Sequence, residues 1–350
     1  MPTIAFEQAL FHRPEQESAQ LLASSPRFDD TWLGEAHGLM VGFGERRVGQ
    51  RCPLTVFAKP IGPKHVAIVR VRDEMPGMPA GLRFHFLIVE RKSYEGWIRD
   101  PFLLAEKIEP TWEAQEALPA LMIPEGAFLP RTLAQVQAVL KRIKSAALRE
   151  GEDPEAPDFE RTTENSESPA LLGGAQILVD GGRLVFERPE GDLRMVAGLW
   201  LLLPEATRYR VWPTSFAFSQ DLDFDVLVVP RVDDLLLESY TTEEQAADYP
   251  EGTYEIALQR AAEQGTQEDL DGVFNRRDSH HTIRLAVLLL VAVSVLVLAS
   301  RWLDFWIPSA SLTVPQQKAL AGASMVGAGD PWTSLGLYLH GKTVWKNQEK

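Results

Sequence analysis

One cysteine, Cys52, stands in 350 residues, so an intramolecular disulfide framework is excluded and a Cys/His zinc set of the usual spacing cannot be built. The phosphate-binding pattern G-x-x-x-x-G-K-[ST] is absent, as are H-E-x-x-H and G-x-S-x-G. No long Lys/Arg run exists and the formal net charge is -14. That balance argues against a nucleic-acid partner, which requires a basic face. The opening MPTIAFEQALFHRPEQE has no basic stretch followed by an apolar one, so no cleaved secretory signal is expected. No cofactor and no metal are expected on these grounds.

Apolar residues make up 45% of the chain and charged residues 24%, ordinary values for a chain with a true core. The one unbroken apolar run is LAVLLLVAVSVLVLAS, from Leu285 to Ser300. As a helix it would cover about 24 Å, and WLDFWI extends it to Ile307. Arg284 and Arg301 flank the run, and Trp302, Phe305 and Trp306 resemble an interfacial aromatic belt. Val, Leu and Ala on all sides are what lipid demands, whereas a buried helix of a globular domain shows polar periodicity. We therefore expect a single-pass transmembrane helix over 283–307, with Leu285–Ile307 in the bilayer. Arg276, Arg277 and Arg284 precede it, which favours a cytoplasmic body at the inner membrane and an exoplasmic tail over 308–350.

The remainder reads as α+β, with two β-rich halves and flanking helices. In the first, residues 1–149, the β-branched runs 54–58, 65–71 and 83–90 predict strands. Leu133, Val136, Leu140, Ile143 and Ala147 predict a helix, with Thr132 and Gln135 at capping-box spacing. Residues 150–169 carry eight acidic residues, one basic residue and three prolines, the composition of a disordered linker. The second half, residues 170–275, begins with AQILVD and RLVFER around Gly181-Gly182, which predicts a hairpin. LRMVAGLWLLLP predicts a short buried helix, 224–230 a strand, and 233–271 acidic helices. No fixed-period repeat is present.

Chemistry is thinly represented. The glycines of Gly38-Leu39-Met40-Val41-Gly42-Phe43-Gly44 lack the trailing glycine of a dinucleotide loop and are expected in a loop. A hydrolase reading would use Cys52 or Ser25 as nucleophile with His37 as base. Against it, Cys52 precedes Pro53 at a strand entry and has the surroundings of a structural thiol. His65 and His85 fall in strand segments and are expected on one sheet face, without a third ligand for a metal. The His280-His281 pair beside the apolar run reads as hydrated, and the acidic helices as a solvated face.

Phe6-Glu7-Gln8-Ala9-Leu10-Phe11, then Leu21-Leu22-Ala23-Ser24-Ser25-Pro26, resemble the opening of the GTPase-associated protein family of bacterial conflict systems, where the pattern is "EQALYG…GH-LLA-S". Gly198-Leu199-Trp200-Leu201-Leu202-Leu203-Pro204, Arg208 and Thr214-Ser215-Phe216 are similar to its "LW-LLP…R…TF" stretch. Ala19-Gln20 replaces the family's Gly-His, and Phe11-His12 replaces its aromatic-Gly. The resemblance implies a membrane-anchored adaptor that docks a GTPase-type partner in a defence or signalling module, with Glu7, Gln8 and Arg208 as partner-binding residues. A lone Arg208 after an apolar helix can clamp a carboxylate or phosphate, or can cap that helix through its last carbonyls. The alternative is a membrane-anchored hydrolase with Cys52 or Ser25 as nucleophile.

Overall fold

The computed structural model describes residues 2–15, 17–46, 49–74, 81–113, 116–150, 168–275 and 287–299. The expected linker at 150–169 therefore lies almost wholly outside the described residues, as do the belt residues 302–306, His280-His281 and the tail 308–350. Residues Met1–Thr282 form one compact unit of mixed α and β structure. Its elements are β1 (Thr3–Pro14), β2 (Gln20–Ser24), α1 (Thr31–Gly42), β3 (Thr55–Ile61), β4 (His65–Asp73), β5 (Gly81–Glu90), α2 (Arg91–Ser93), α3 (Pro101–Lys107), β6 (Leu121–Pro124) and α4 (Leu133–Glu150). From residue 168 on come α5 (Ala170–Asp180), β7 (Leu184–Glu187), α6 (Leu193–Leu202), α7 (Glu205–Arg208), β8 (Val226–Val229), α8 (Asp234–Ser239), β9 (Thr241–Thr242), α9 (Glu243–Ala247), α10 (Thr253–Gln264) and α11 (Gln267–Phe274).

An antiparallel sheet runs β2-β1-β5-β4-β3, with β6 on the first residues of β1. The strand runs read from β-branched residues all appear. Every residue of β5 up to Val89 is buried, because the sheet is covered on both faces. On one face Trp32 of α1 meets His65 at 4.9 Å, and Phe43 meets Phe57 and Phe84 at 5.8 and 5.6 Å. The other face is covered by the segment carrying Trp112 and Leu118, which pack with Leu10 and Ala23. His65 and His85 do not share a face, contrary to expectation. Arg70 is the cross-strand partner of His85, and residues 65 and 70 of one strand have opposite parity.

The second sheet is parallel, in the order β8-β7-β9. The extended stretch 212–217 joins it to the first. Ala58 N donates to Pro213 O and Ser215 N to Val56 O on one side; Thr214 N donates to Val226 O and Ala217 N to Val228 O on the other. Val56 N also donates to Ser215 Oγ at 2.9 Å. One hydrophobic cluster accordingly runs from Ile4 and Phe6 of β1 to Leu270 and Phe274 of α11. Pro60 sits past the last of these bonds on β3, where a missing N–H is tolerated.

Three further expectations are corrected. The Gly181-Gly182 pair ends a helix rather than turning a hairpin. Gly181 takes φ 92°, and Gly182 N donates to Ile177 O at 2.9 Å, the closing bond of a left-handed C-cap. Its apolar run is not amphipathic because α5 is buried nearly all round. Gly38 and Gly42 lie within α1, not in a loop. Leu21-Leu22, expected as core, are not both inside: Leu21 is 40% exposed on the edge strand β2. The helix after Thr132 forms as expected, with Thr132 N donating to Gln135 Oε1 and Gln135 N to Thr132 Oγ1.

Residues 287–299 are helical. Its leucines and valines are between 51% and 70% exposed, on every side of the helix. The hydroxyl of Ser294 donates to Leu290 O at 2.8 Å, so it is satisfied within the helix. Among the described residues no helix is long and apolar enough to cross a membrane.

Candidate functional site

A groove of about 520 Å³ is lined by Trp97, Arg99, Leu129, Arg131, Glu205 and Phe274, among others. It forms where the two halves of the compact unit meet. After α2 the chain winds into one π-helical turn, Tyr94–Ile98, and Arg99 then adopts φ 55°. Single π turns and left-handed non-glycine residues are costly conformations that concentrate at functional sites. The next residue, Asp100, caps α3: its Oδ1 accepts from Phe102 N and Leu103 N, both at 3.0 Å, ahead of Pro101 at the first helical position.

Below the groove, side chains satisfy the carbonyls that end α6. Arg208 Nε donates to Trp200 O at 3.0 Å, and Arg131 Nη1 to Leu201 O at 2.9 Å and to Leu203 O. Tyr254 Oη donates to Leu202 O. These are the orphan carbonyls of a helix terminus, and cations there also oppose the negative end of the helix. Arg208 therefore caps the helix, the second of the two roles read for it, and its Nη2 also donates to Asp100 Oδ2 at 3.2 Å. The contact with Asp100 is internal to the chain and 4% of the arginine is exposed.

Glu205 is the anionic hub. Arg131 Nη2 lies 2.6 Å from its Oε1, Arg99 Nη1 3.4 Å from its Oε2, and Arg208 Nη1 3.9 Å from its Oε1. Burial pushes the Glu205 carboxyl up, but Arg131, Arg208 and Arg99 outweigh it and hold the group below its ordinary value. Arg131 and Arg208 are thus spent on carbonyls and carboxylates. Arg99 is about one third exposed and faces the groove. Trp97, 52% exposed, and Leu129, 73% exposed, line the same groove. The lining thus offers an accessible guanidinium together with two exposed apolar side chains.

Glu7 and Gln8 belong to β1 and take part in different contacts. Ser25 Oγ donates to Glu7 Oε2 at 2.5 Å and accepts from Gln8 N at 3.0 Å. The Gln8 side chain is buried and donates to Pro119 O at 2.6 Å, with His85 Nε2 2.9 Å from its Oε1. Neither residue touches Arg208 or lines the groove. The hydrolase set is likewise not assembled. Ser25 is buried in this arrangement, His37 is exposed on α1, and Cys52 is buried with Sγ 3.5 Å from Pro53 O. Burial, reinforced by the Asp73 carboxylate, pushes the Cys52 thiol up, away from the thiolate a nucleophile needs.

Arg99, Arg131, Glu205 and Trp97 escape sequence reasoning because their partners lie far along the chain. The Asp100-Pro101 pair is the local signal that marks the site, since it announces a helix start directly after Arg99. No family model matches the chain, and no curated protein matches it.

Proposed function

We propose that the chain is a membrane-anchored adaptor whose cytoplasmic body docks a GTPase-type protein partner through the Trp97–Arg99–Leu129 groove. The observation that carries the anchor is the 287–299 helix, which is apolar and exposed on every side. Water is a poor solvent for such a surface, and its one hydroxyl is satisfied internally, as lipid requires. The transmembrane segment over 283–307, the inner-membrane location and the Arg276, Arg277 and Arg284 flank belong to this reading.

The docking half rests on the groove. Protein interfaces are carried by a few aromatic, aliphatic and arginine anchors, and Trp97, Leu129 and Arg99 provide one of each. The choice of a GTPase as partner comes from the resemblance of the 6–11, 21–26 and 198–216 stretches. Arg208 contributes by holding Asp100, and through it the turn that carries Arg99.

Native affinity purification of the detergent-solubilised full chain, followed by mass spectrometry, tests the proposal. A GTPase is expected to co-purify. Replacing Trp97 by Ala should weaken capture roughly 30-fold, the effect of losing about 2 kcal/mol at a hot spot. The body ending at residue 282 should partition to the soluble fraction while the full chain stays with membranes after a high-salt wash. A full chain released by salt removes the anchor, and an empty pull-down removes the adaptor.

A further inference from the structure

The Trp97–Arg99–Leu129 groove lies where the chain leaves the compact body. Asn275, the residue that follows α11, belongs to its lining. Residues 276–286 separate Asn275 from Val287, the first described residue of the apolar helix. Fully extended, that stretch reaches at most about 40 Å. A globule of the length of Met1–Thr282 is about 50 Å across. If 287–299 is held in a bilayer, the tether is too short to let the body turn its far side to the lipid. The rim of the groove stays near the membrane surface.

The side chains at that rim suit an interface. Leu129 is the most exposed large apolar side chain of the described body, and Trp97 is the one exposed tryptophan among the described residues. Tryptophan favours the headgroup layer, and an exposed aliphatic chain favours the boundary with the acyl chains. Arg99, about one third exposed, can offer its guanidinium to a lipid phosphate while its stem stays in apolar surroundings. Glu125 and Asp271 also line the groove, and the chain as a whole carries -14. Attraction to anionic lipid therefore does not hold this face. Its apolar anchors do.

We infer that the bilayer is the resting occupant of the groove, with Trp97 and Leu129 in the headgroup layer and Arg99 on a lipid phosphate. This rests on the anchored-adaptor reading and supplies its regulation. A docking partner has to displace the membrane before it can engage the same three side chains.

Spin-label depth measurement on the full chain in phosphatidylcholine nanodiscs tests it. Cys52 is the one cysteine and is buried, so an introduced thiol is labelled alone. Gly126 lines the groove, and a Cβ there meets open space. Gly126→Cys thus reports on the rim without removing an anchor. Glu17→Cys is the control. Glu125 N donates to Pro2 O, just before β1, whereas Glu17 is exposed beyond the other end of that strand, about 35–40 Å away.

The label at 126 is expected to lose most of its collisions with a water-soluble nickel complex, relative to the label at 17, and to gain collisions with oxygen. High salt should leave that difference in place. Trp97→Gln with Leu129→Gln should return the label at 126 to water-exposed values. A label at 126 as wet as the one at 17 overturns the inference and leaves the groove to a protein partner. Shielding that survives loss of both anchors overturns it as well. A full chain that salt strips from the nanodiscs removes the anchor and this inference together. Firm incorporation with a wet label at 126 removes this inference alone.

Discussion

Arg131 shows how much a single side chain can be asked to do. It caps two carbonyls at the end of α6, pairs with Glu205 and lies 3.6 Å from the ring centre of Phe274. Removing one partner of a buried ion pair leaves the other charge uncompensated, at a typical cost of about 3–5 kcal/mol. Arg131→Ala should therefore lower the unfolding free energy by that order in urea titration. Arg99→Ala, whose guanidinium is partly solvated, should cost no more than about 1 kcal/mol and still weaken partner capture. That contrast separates an arginine that holds the body together from one that faces outward.

His85 carries a pH signature. Burial is the largest cause of its depression from 6.5 to about 3, and Arg70 adds to it. Between those values the unfolded chain binds a proton that the folded chain refuses, so stability rises with pH there. The contribution is complete above about pH 6.5 and is lost on acidification at up to about 1.4 kcal/mol per pH unit. His85→Gln should flatten the difference in chemical denaturation midpoints between pH 7 and pH 4.5. An unchanged slope would mean that His85 is not buried neutral. None of this was legible in the sequence. His85 announced a strand, but its neighbours Gln8 and Arg70 are 77 and 15 residues away.

At the scale of elements, legibility followed periodicity. The strands β3, β4 and β5 were readable from β-branched residues, and α4 from its capping box and apolar stripe. α6 was readable as a short apolar helix ending before Pro204. α5 failed because a helix buried on nearly all sides has no amphipathic pattern to detect. The reason for its glycines is contact: a Cβ on Gly173 would lie 2.0 Å from Ala246 O of α9, a backbone atom that cannot swing aside. Gly173→Ala should improve helix propensity yet destabilise the protein by about 1–3 kcal/mol through overpacking. Gly181→Ala should be destabilising by a different route, since φ 92° is strained for any side chain. Thermal unfolding of the two variants, with Gly181→Asn as a third, distinguishes crowding from backbone strain, because asparagine tolerates the left-handed region that alanine does not.

At the scale of the whole molecule, the acidic stretch 150–169 looked like the boundary between two units, and composition gave no sign of what ties 1–149 to the residues beyond it. The tie is the extended segment Trp212–Ala217, which pairs with β3 on one side and β8 on the other. Nothing local marks it as a strand, since Pro213 and Ser215 are poor strand formers. Its partner on β3 is more than 150 residues away in the chain, and only the assembled sheet selects it. The apolar helix at 287–299 was legible for the opposite reason: its signal is a single uninterrupted composition, and no tertiary context is required to see it.

That bridging segment sets an order of events at the ribosome. β3 is made early, and the stretch that seals its outer side arrives more than 150 residues later. At synthesis rates of roughly 5–20 residues per second, the wait is of the order of ten seconds or more. Throughout it the nascent chain exposes a strand edge open to pairing with any neighbour. The first half alone should therefore aggregate when expressed as residues 1–149. Co-expression with residues 168–282 should return it to the soluble fraction. By the time the apolar run around 287–299 leaves the exit tunnel, the edge is already closed. The apolar run thus emerges behind a body that has finished folding.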